Sequence, residues 1–280
     1  MQYELPSTLN EALNLRASGD WQIIAGGTDV YPASVGVPVR SNLLDISHVQ
    51  ELGGIYASES MWRIGALATW TQLLQAELPA AFTALKLAAR ELGSIQIQNV
   101  ASIAGNLCNA SPAADGVPAL LILDARVELC SAQGKRELSL ADFLLGNRRT
   151  ALRADEIMTA ILIPRENENA PTQFSKLGAR KYLVISIAMV AAQIVVDDNR
   201  NIAGARIAVG SCSVVARRLQ TLERALIGVA TKPELGIPIE PDHLPELDPI
   251  DDVRGSAVYR LQAATILVRR AIETCVSGSQ

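Results

Sequence analysis

Residues 23–32 read IIAGGTDVYP. Ile23 and Ile24 are β-branched and suit a buried strand, but Gly26 and Gly27, directly after Ala25, weaken a strand and stand where the main chain turns or is approached closely. Thr28 and Asp29 follow before the next apolar residue, Val30. Turn amides at the end of a strand can face into a concavity that accepts an anion such as a phosphate. The pattern is not G-x-G-x-x-G, because the third glycine is missing, and no Gly-Lys-Ser/Thr makes it a Walker loop. Taken alone, a tight turn explains it as well.

Upstream, Leu9–Ser18 reads as a helix with Ser7 as N-cap after Pro6, ending at Gly19. WQIIAG is then the strand that enters the glycine turn. Downstream, SNLLDIS (41–47) and MWRIGALAT (61–69) read as strands, and 71–77 and 80–92 carry helical periodicity, the latter stopping at Gly93. ALLILDARVELC (119–130) reads as an apolar strand, SAQGKR as a turn, LSLADFLLG (138–146) as an amphipathic segment, and DEIMTAILIP (155–164) as a strand stopped by Pro164. RENENAPTQ (165–173) is the best linker candidate. Beyond it, 182–214 suggests a helix or strand and then a hairpin turned at DDNRN. ARRLQTLERALIG (216–228) is a helix, the proline-rich 232–249 a loop, and SAVYRLQAATILVRRAIETCV (256–276) a long closing helix. This is an α+β chain with a first unit to about residue 168 and a second after it.

The 280 residues are 49% hydrophobic, 4% aromatic and 19% charged, with net charge −4. Such a chain is globular, and its scattered Lys and Arg exclude a nucleic-acid footprint. No basic start with an apolar core precedes the first helix, and no run is apolar for the ~18 residues a membrane helix needs, so the expected location is cytoplasmic. Cys108, Cys130, Cys212 and Cys275 form no C-x-x-C pair. A cluster or metal held wholly by this chain is not expected; free, mostly buried thiols are. His48 and His243 are poor candidates for a catalytic base, and no catalytic residue is assigned.

A second loop answers the first. ASIAGNLCNASPAAD (101–115) sets Ser102, Asn106, Asn109, Ser111 and Asp115 around Gly105. Hydroxyl, amide and carboxylate groups beside a permissive backbone are what a diphosphate and a ribose diol require. Two such loops suit a long dinucleotide.

AGGTDV, IGALATWTQL, QIQNVASIAGNLCNASPAAD, DEIMTAILIP and RGSAVYR, in this order, resemble the flavin-binding medium subunit of the molybdenum hydroxylases, a family that includes xanthine dehydrogenase, aldehyde oxidoreductase and carbon monoxide dehydrogenase flavoproteins. The resemblance covers essentially the whole chain. It implies an FAD-binding domain of the vanillyl-alcohol-oxidase type over 1–168, with lobes of about 1–57 and 58–168, then a flavoprotein C-terminal domain over 172–278. It also implies that Ile23, Ile24, Ala25, Gly26, Gly27, Thr28, Asp29 and Val30 wrap the FAD diphosphate. Ser102, Ile103, Ala104, Gly105 and Asn106 are the implied second contact, and Asp115 the implied ribose ligand. Ala104 departs from the glycine usual in the family, and its methyl group is expected to restrict φ and narrow the backbone approach there. Leu92 stands where some relatives carry an aromatic ring, Met158 beside the isoalloxazine, and Lys176 as a cation near the flavin.

The competing explanations are structural: Ser102 as a turn cap, Asp115 as a helix N-cap, Leu92 and Met158 as core, Lys176 as a solvated charge. Arg254, Tyr259 and Arg260 are expected to pair within the C-terminal unit. The implied partners are a large molybdopterin-binding subunit and a small [2Fe–2S] subunit, with NAD+, oxygen or another acceptor downstream. A stand-alone FAD oxidoreductase and an assembly subunit without FAD are the rival classes.

Overall fold

The computed structural model describes residues 1–36, 41–166, 168–231 and 239–278. In chain order the elements begin with β1 (Tyr3–Glu4), α1 (Leu9–Ser18), β2 (Trp21–Ile24), α2 (Val30–Ala33), β3 (Asn42–Asp45), β4 (Ile55–Ala57), β5 (Met61–Gly65) and α3 (Trp70–Gln75). There follow α4 (Thr83–Glu91), α5 (Ile95–Val100), α6 (Ile103–Asn109), α7 (Gly116–Ile122), β6 (Arg126–Ser131), β7 (Gly134–Ser139), α8 (Leu140–Phe143), β8 (Leu144–Gly146) and β9 (Arg149–Thr150). The rest are β10 (Ile157–Pro164), β11 (Thr172–Leu177), β12 (Ala188–Val196), β13 (Ile202–Gly210), β14 (Arg217–Arg218), α9 (Gln220–Leu226) and α10 (Ala257–Ser277).

Two compact units result. The first gathers Met1–Ala76, Ser94–Ala110 and Ala125–Pro164; the second gathers Glu77–Gly93, Ser111–Asp124 and Arg165–Gln280. In the first, a parallel sheet β1-β3-β2 accompanies an antiparallel sheet β4-β5-β10-β6-β7 and the small hairpin β8-β9. In the second, β11-β12-β13-β14 form an antiparallel sheet. Val190 and Ile194 of β12 share a core with Ile207, Val209 and, from α10, Val268 and Ile272. At the alternate position Met189 lies beside Pro118 of α7, around Gly210. The sheet is thus covered on both faces, which is why AMVAAQIVV carries no polar alternation. The expected hairpin forms: β12 and β13 pair antiparallel across the DDNRN turn.

Several elements differ from the sequence expectation. The N-cap of α1 is Thr8, whose Oγ1 accepts from Glu11 N, while Ser7 N donates to the Glu11 carboxylate. The first half of 119–130 is helix α7, not strand, and only Arg126 onward pairs in a sheet. All seven α7 residues are buried. A segment apolar all round shows no periodicity, so helix and strand read alike. LSLADFLLG divides between the end of β7, α8 and β8, α9 begins only at Gln220, and the part of the proline-rich loop at 232–238 lies outside the described residues. The closing helix forms as expected. Among the described residues no helix is long and apolar enough to cross a membrane.

Candidate functional site

The glycine turn and the second polar loop, some eighty residues apart in sequence, meet inside the first unit. A Cβ on Gly26 would stand 1.9 Å from the Val100 carbonyl oxygen and 3.1 Å from Ala101 N. No side chain fits there, so glycine is required by backbone approach rather than by φ. Gly27 adds a left-handed φ of 68°, and a Cβ there would stand 2.3 Å from the Tyr31 ring. Tyr31 N donates to Gly27 O, folding the turn directly into α2.

The second loop is fixed from behind by the IGALATWTQL segment. Ile103 N donates to Ala68 O and Trp70 N to Ala101 O, with Thr69 and Ser102 bridged. Ser102 is the N-cap of α6, its Oγ accepting from Gly105 N at 3.0 Å. Ile24, Ile103, Ala104 and Met158 are buried core residues. Ala104 lies in the first turn of α6, where helical dihedrals suit alanine and its methyl group imposes no backbone cost.

Asn106 Oδ1 is buried and has no hydrogen-bond partner among the described residues. A buried acceptor left unpaired costs on the order of 1–3 kcal/mol, so it marks a place where a donor is expected. FAD meets that demand, since it carries ribityl and ribose hydroxyls and a ring N–H. The Gly26–Gly27 turn carries no side chain, so its backbone is what it would offer the diphosphate. The residues present therefore fit the group.

The candidates in the second unit form a cluster of their own. Lys176 Nζ donates to Asp115 Oδ2 at 2.7 Å and to Glu91 O at 3.3 Å, and Ser186 Oγ donates to Asp115 Oδ1 at 2.7 Å. Lys176 is buried, its side chain 6% exposed, so it is no solvated surface charge. Burial pushes the Asp115 carboxyl upward, against the pull of Lys176 and Ser186. Asp115 stands at the N-cap position of α7 without a side-chain cap bond. Its carboxylate instead staples the start of α7 to β11 and to Ser186. Leu92 is the half-buried residue that ends α4.

Sequence reasoning missed one residue near the first unit's turn: Arg148, whose Nη1 donates to Asn109 Oδ1 at 2.7 Å, while Asn109 Nδ2 donates to Asp29 Oδ1 at 2.9 Å. No motif marks it, because its place depends on hairpin β8-β9. Arg254 and Arg260 do pair within the second unit, both on Asp252. All four cysteines are free; Cys212 and Cys275 are buried, Cys130 is half-buried and Cys108 exposed, so they are less uniformly buried than expected.

A strand that ends in a double-glycine turn, packed against the start of a polar loop that holds an unpaired buried acceptor, is compatible with a nucleotide-cofactor-binding α+β protein. Comparison with known proteins narrows this class. Residues 1–166 match the model of the FAD binding domain in molybdopterin dehydrogenase, and residues 173–275 match the CO dehydrogenase flavoprotein C-terminal domain. The chain belongs to this family of FAD-binding oxidoreductase subunits.

It is 40% identical over 205 residues to the nicotinate dehydrogenase FAD-subunit of Eubacterium barkeri, covering 70% of this chain and 69% of that one. It is 31% identical over 286 aligned positions to a putative xanthine dehydrogenase FAD-binding subunit of Escherichia coli, covering 99% and 96%. Among solved structures it resembles carbon monoxide dehydrogenase from Hydrogenophaga pseudoflava, with TM-score 0.89, 25% identity and coverage of 99% and 97%. The α+β class and the cofactor, FAD, expected from the sequence both stand.

Proposed function

We propose that this chain is the FAD-carrying electron-transfer subunit of a molybdenum-dependent hydroxylase or dehydrogenase. In this reading a large molybdopterin subunit and a small [2Fe–2S] subunit are its partners. The subunit receives electrons from the clusters and delivers them to NAD+ or another acceptor. Bound FAD supplies the redox chemistry, and the protein supplies binding and orientation.

The observation that carries the reading is the close approach of Gly26 to Val100 and Ala101, which joins the two loops, together with the unpaired Asn106 Oδ1 of the second loop. The backbone from Ile23 to Val30 would hold the diphosphate, and Ser102–Asn106 would supply the second side of the cradle. Asn106 Oδ1 would accept from a cofactor hydroxyl or N–H. Asp115 and Lys176 are assigned to the fold of the second unit, because each satisfies the other and the pair carries no free charge. Met158 is assigned to the core of the first unit.

Support for the partners comes from the relatives' names, which include the nicotine 6-hydroxylase medium subunit of Paenarthrobacter nicotinovorans and the carbon monoxide dehydrogenase medium chain of Hydrogenophaga pseudoflava. Co-expression with candidate large and small subunits tests the reading. A stable complex carrying FAD, iron and molybdenum, reducing an acceptor only when all chains are present, is the expected result. A chain that never co-purifies with them, or that turns over an organic substrate alone, would contradict it.

A further inference from the structure

We propose that Arg148 is a positioning residue for the nucleotide, holding the Gly26–Asp29 turn in its binding shape through Asn109. The inference rests on the reading that this turn holds the FAD diphosphate.

The link is continuous and lies within the first unit. Arg148 Nη1 donates to Asn109 Oδ1 at 2.7 Å, Asn109 Nδ2 donates to Asp29 Oδ1 at 2.9 Å, and Arg148 N donates to Ala110 O at 2.9 Å. Between a guanidinium, which only donates, and a carboxylate, which only accepts, the Asn109 amide has one orientation that satisfies both neighbours. Asn109 is thereby a directional spacer between two opposite charges.

Local requirements explain neither Arg148 nor Asp29. Arg148 sits in the turn between β8 and β9 with φ of 53°, a left-handed position that glycine or asparagine fills at less cost. Ala110, which receives the Arg148 N–H, is also left-handed, with φ of 46°. Non-glycine residues persist in this region where their surroundings over-determine them, and such positions concentrate at functional sites. Asp29 occupies the N-cap position of α2 yet makes no side-chain cap bond. Its carboxylate is turned to Asn109 instead. An arginine in a glycine position, tied to an aspartate released from capping, is what a device for fixing the glycine turn requires. Arg148 and Asp29 both remain exposed, so neither is needed by the core.

The test uses the full chain, stripped of flavin and titrated with FAD, beside the melting temperature of the stripped chain. Arg148→Gly suits the left-handed backbone, so its melting temperature is expected to be unchanged or higher while its dissociation constant for FAD rises about tenfold, the loss of one charge-assisted contact. Asn109→Asp keeps a partner for Arg148 but sets a carboxylate against that of Asp29, and is expected to weaken FAD at least as much. Arg148→Lys is expected to fall between Arg148→Gly and wild type. Arg148→Gly binding FAD as tightly as wild type would overturn the proposal, as would an affinity loss that merely tracks a drop in melting temperature. A wild-type chain that binds no FAD would instead overturn the functional reading, and this inference with it.

Discussion

Gly26 has a backbone oxygen where its side chain would be, and that single fact sets the residue-scale behaviour of the site. Gly26→Ala must push apart two backbone segments, a strain of about 1–3 kcal/mol in a packed setting. The expected outcome is a chain that folds with a lowered denaturant midpoint and has lost its flavin; an alanine variant that keeps wild-type stability and colour would contradict the packing. Asp252 gives a pH dependence of known sign. Burial alone would raise its carboxyl, but the Arg254 N–H and the guanidinium groups of Arg260 and Arg254 outweigh this and hold it down to about 2, against an ordinary 3.8. A carboxylate depressed in the folded state stabilises above its unfolded pKa and loses that contribution as pH falls through the folded value. Wild type is therefore expected to lose stability between about pH 4 and pH 2 more steeply than Asp252→Asn in urea titrations, and parallel profiles would refute the pairing. The double glycine after a strand and the amides of the second loop are conspicuous in the sequence, but a tight turn accounts for the glycines equally well there, and only the packing of Val100 against Gly26 shows why no side chain is possible. Arg148 was not legible, since its place depends on a hairpin register that no local pattern states.

At the scale of elements, the buried Asp115–Lys176 pair shows why α7 and β11 belong together. Removing one partner of a buried ion pair leaves an uncompensated charge and costs about 3–5 kcal/mol, whereas an apolar pair of similar volume is often neutral. Asp115→Asn or Lys176→Met alone is expected to destabilise strongly. Asp115→Leu with Lys176→Met is expected to recover most of the loss, measured by equilibrium unfolding as a double-mutant cycle; additive losses would show that the two side chains do not act together. The pair was half legible. Both residues stood out in the sequence, but as ligands of a cofactor rather than of each other. The helix that Asp115 precedes was read as strand for a related reason: burial on every side removes the polar face by which a helix is recognised. Elements bounded by cap signals, such as α1, or by a polar turn, as between β12 and β13, were legible because caps and turns leave a local pattern in the sequence.

At the scale of the molecule, chain order and compact unit do not coincide. Residues 77–93 and 111–124 fall within the stretch matched by the FAD-binding model, yet they cluster with 165–280. Their apolar faces, including Leu85 and Ala88 of α4 and Leu120 of α7, are buried in the intact chain. A fragment ending at residue 166 would keep these helices without β11–β13, which they pack against. It is expected to aggregate or to unfold without a cooperative transition, as seen by gel filtration and circular dichroism, and a monomeric, cooperatively folding fragment would contradict this division. The sequence could not show it, because such interleaving is a matter of long-range packing and leaves linkers of ordinary composition. The central claim, that the close-packed glycine turn of the first unit holds FAD, is met most directly by the visible absorption spectrum of the purified full-length chain, with release of its chromophore on denaturation. Flavin bands from an equimolar quantity of FAD, absent in Gly26→Ala, are the expected result. A colourless chain that takes up no added FAD, with its partner subunits present or absent, would contradict the account.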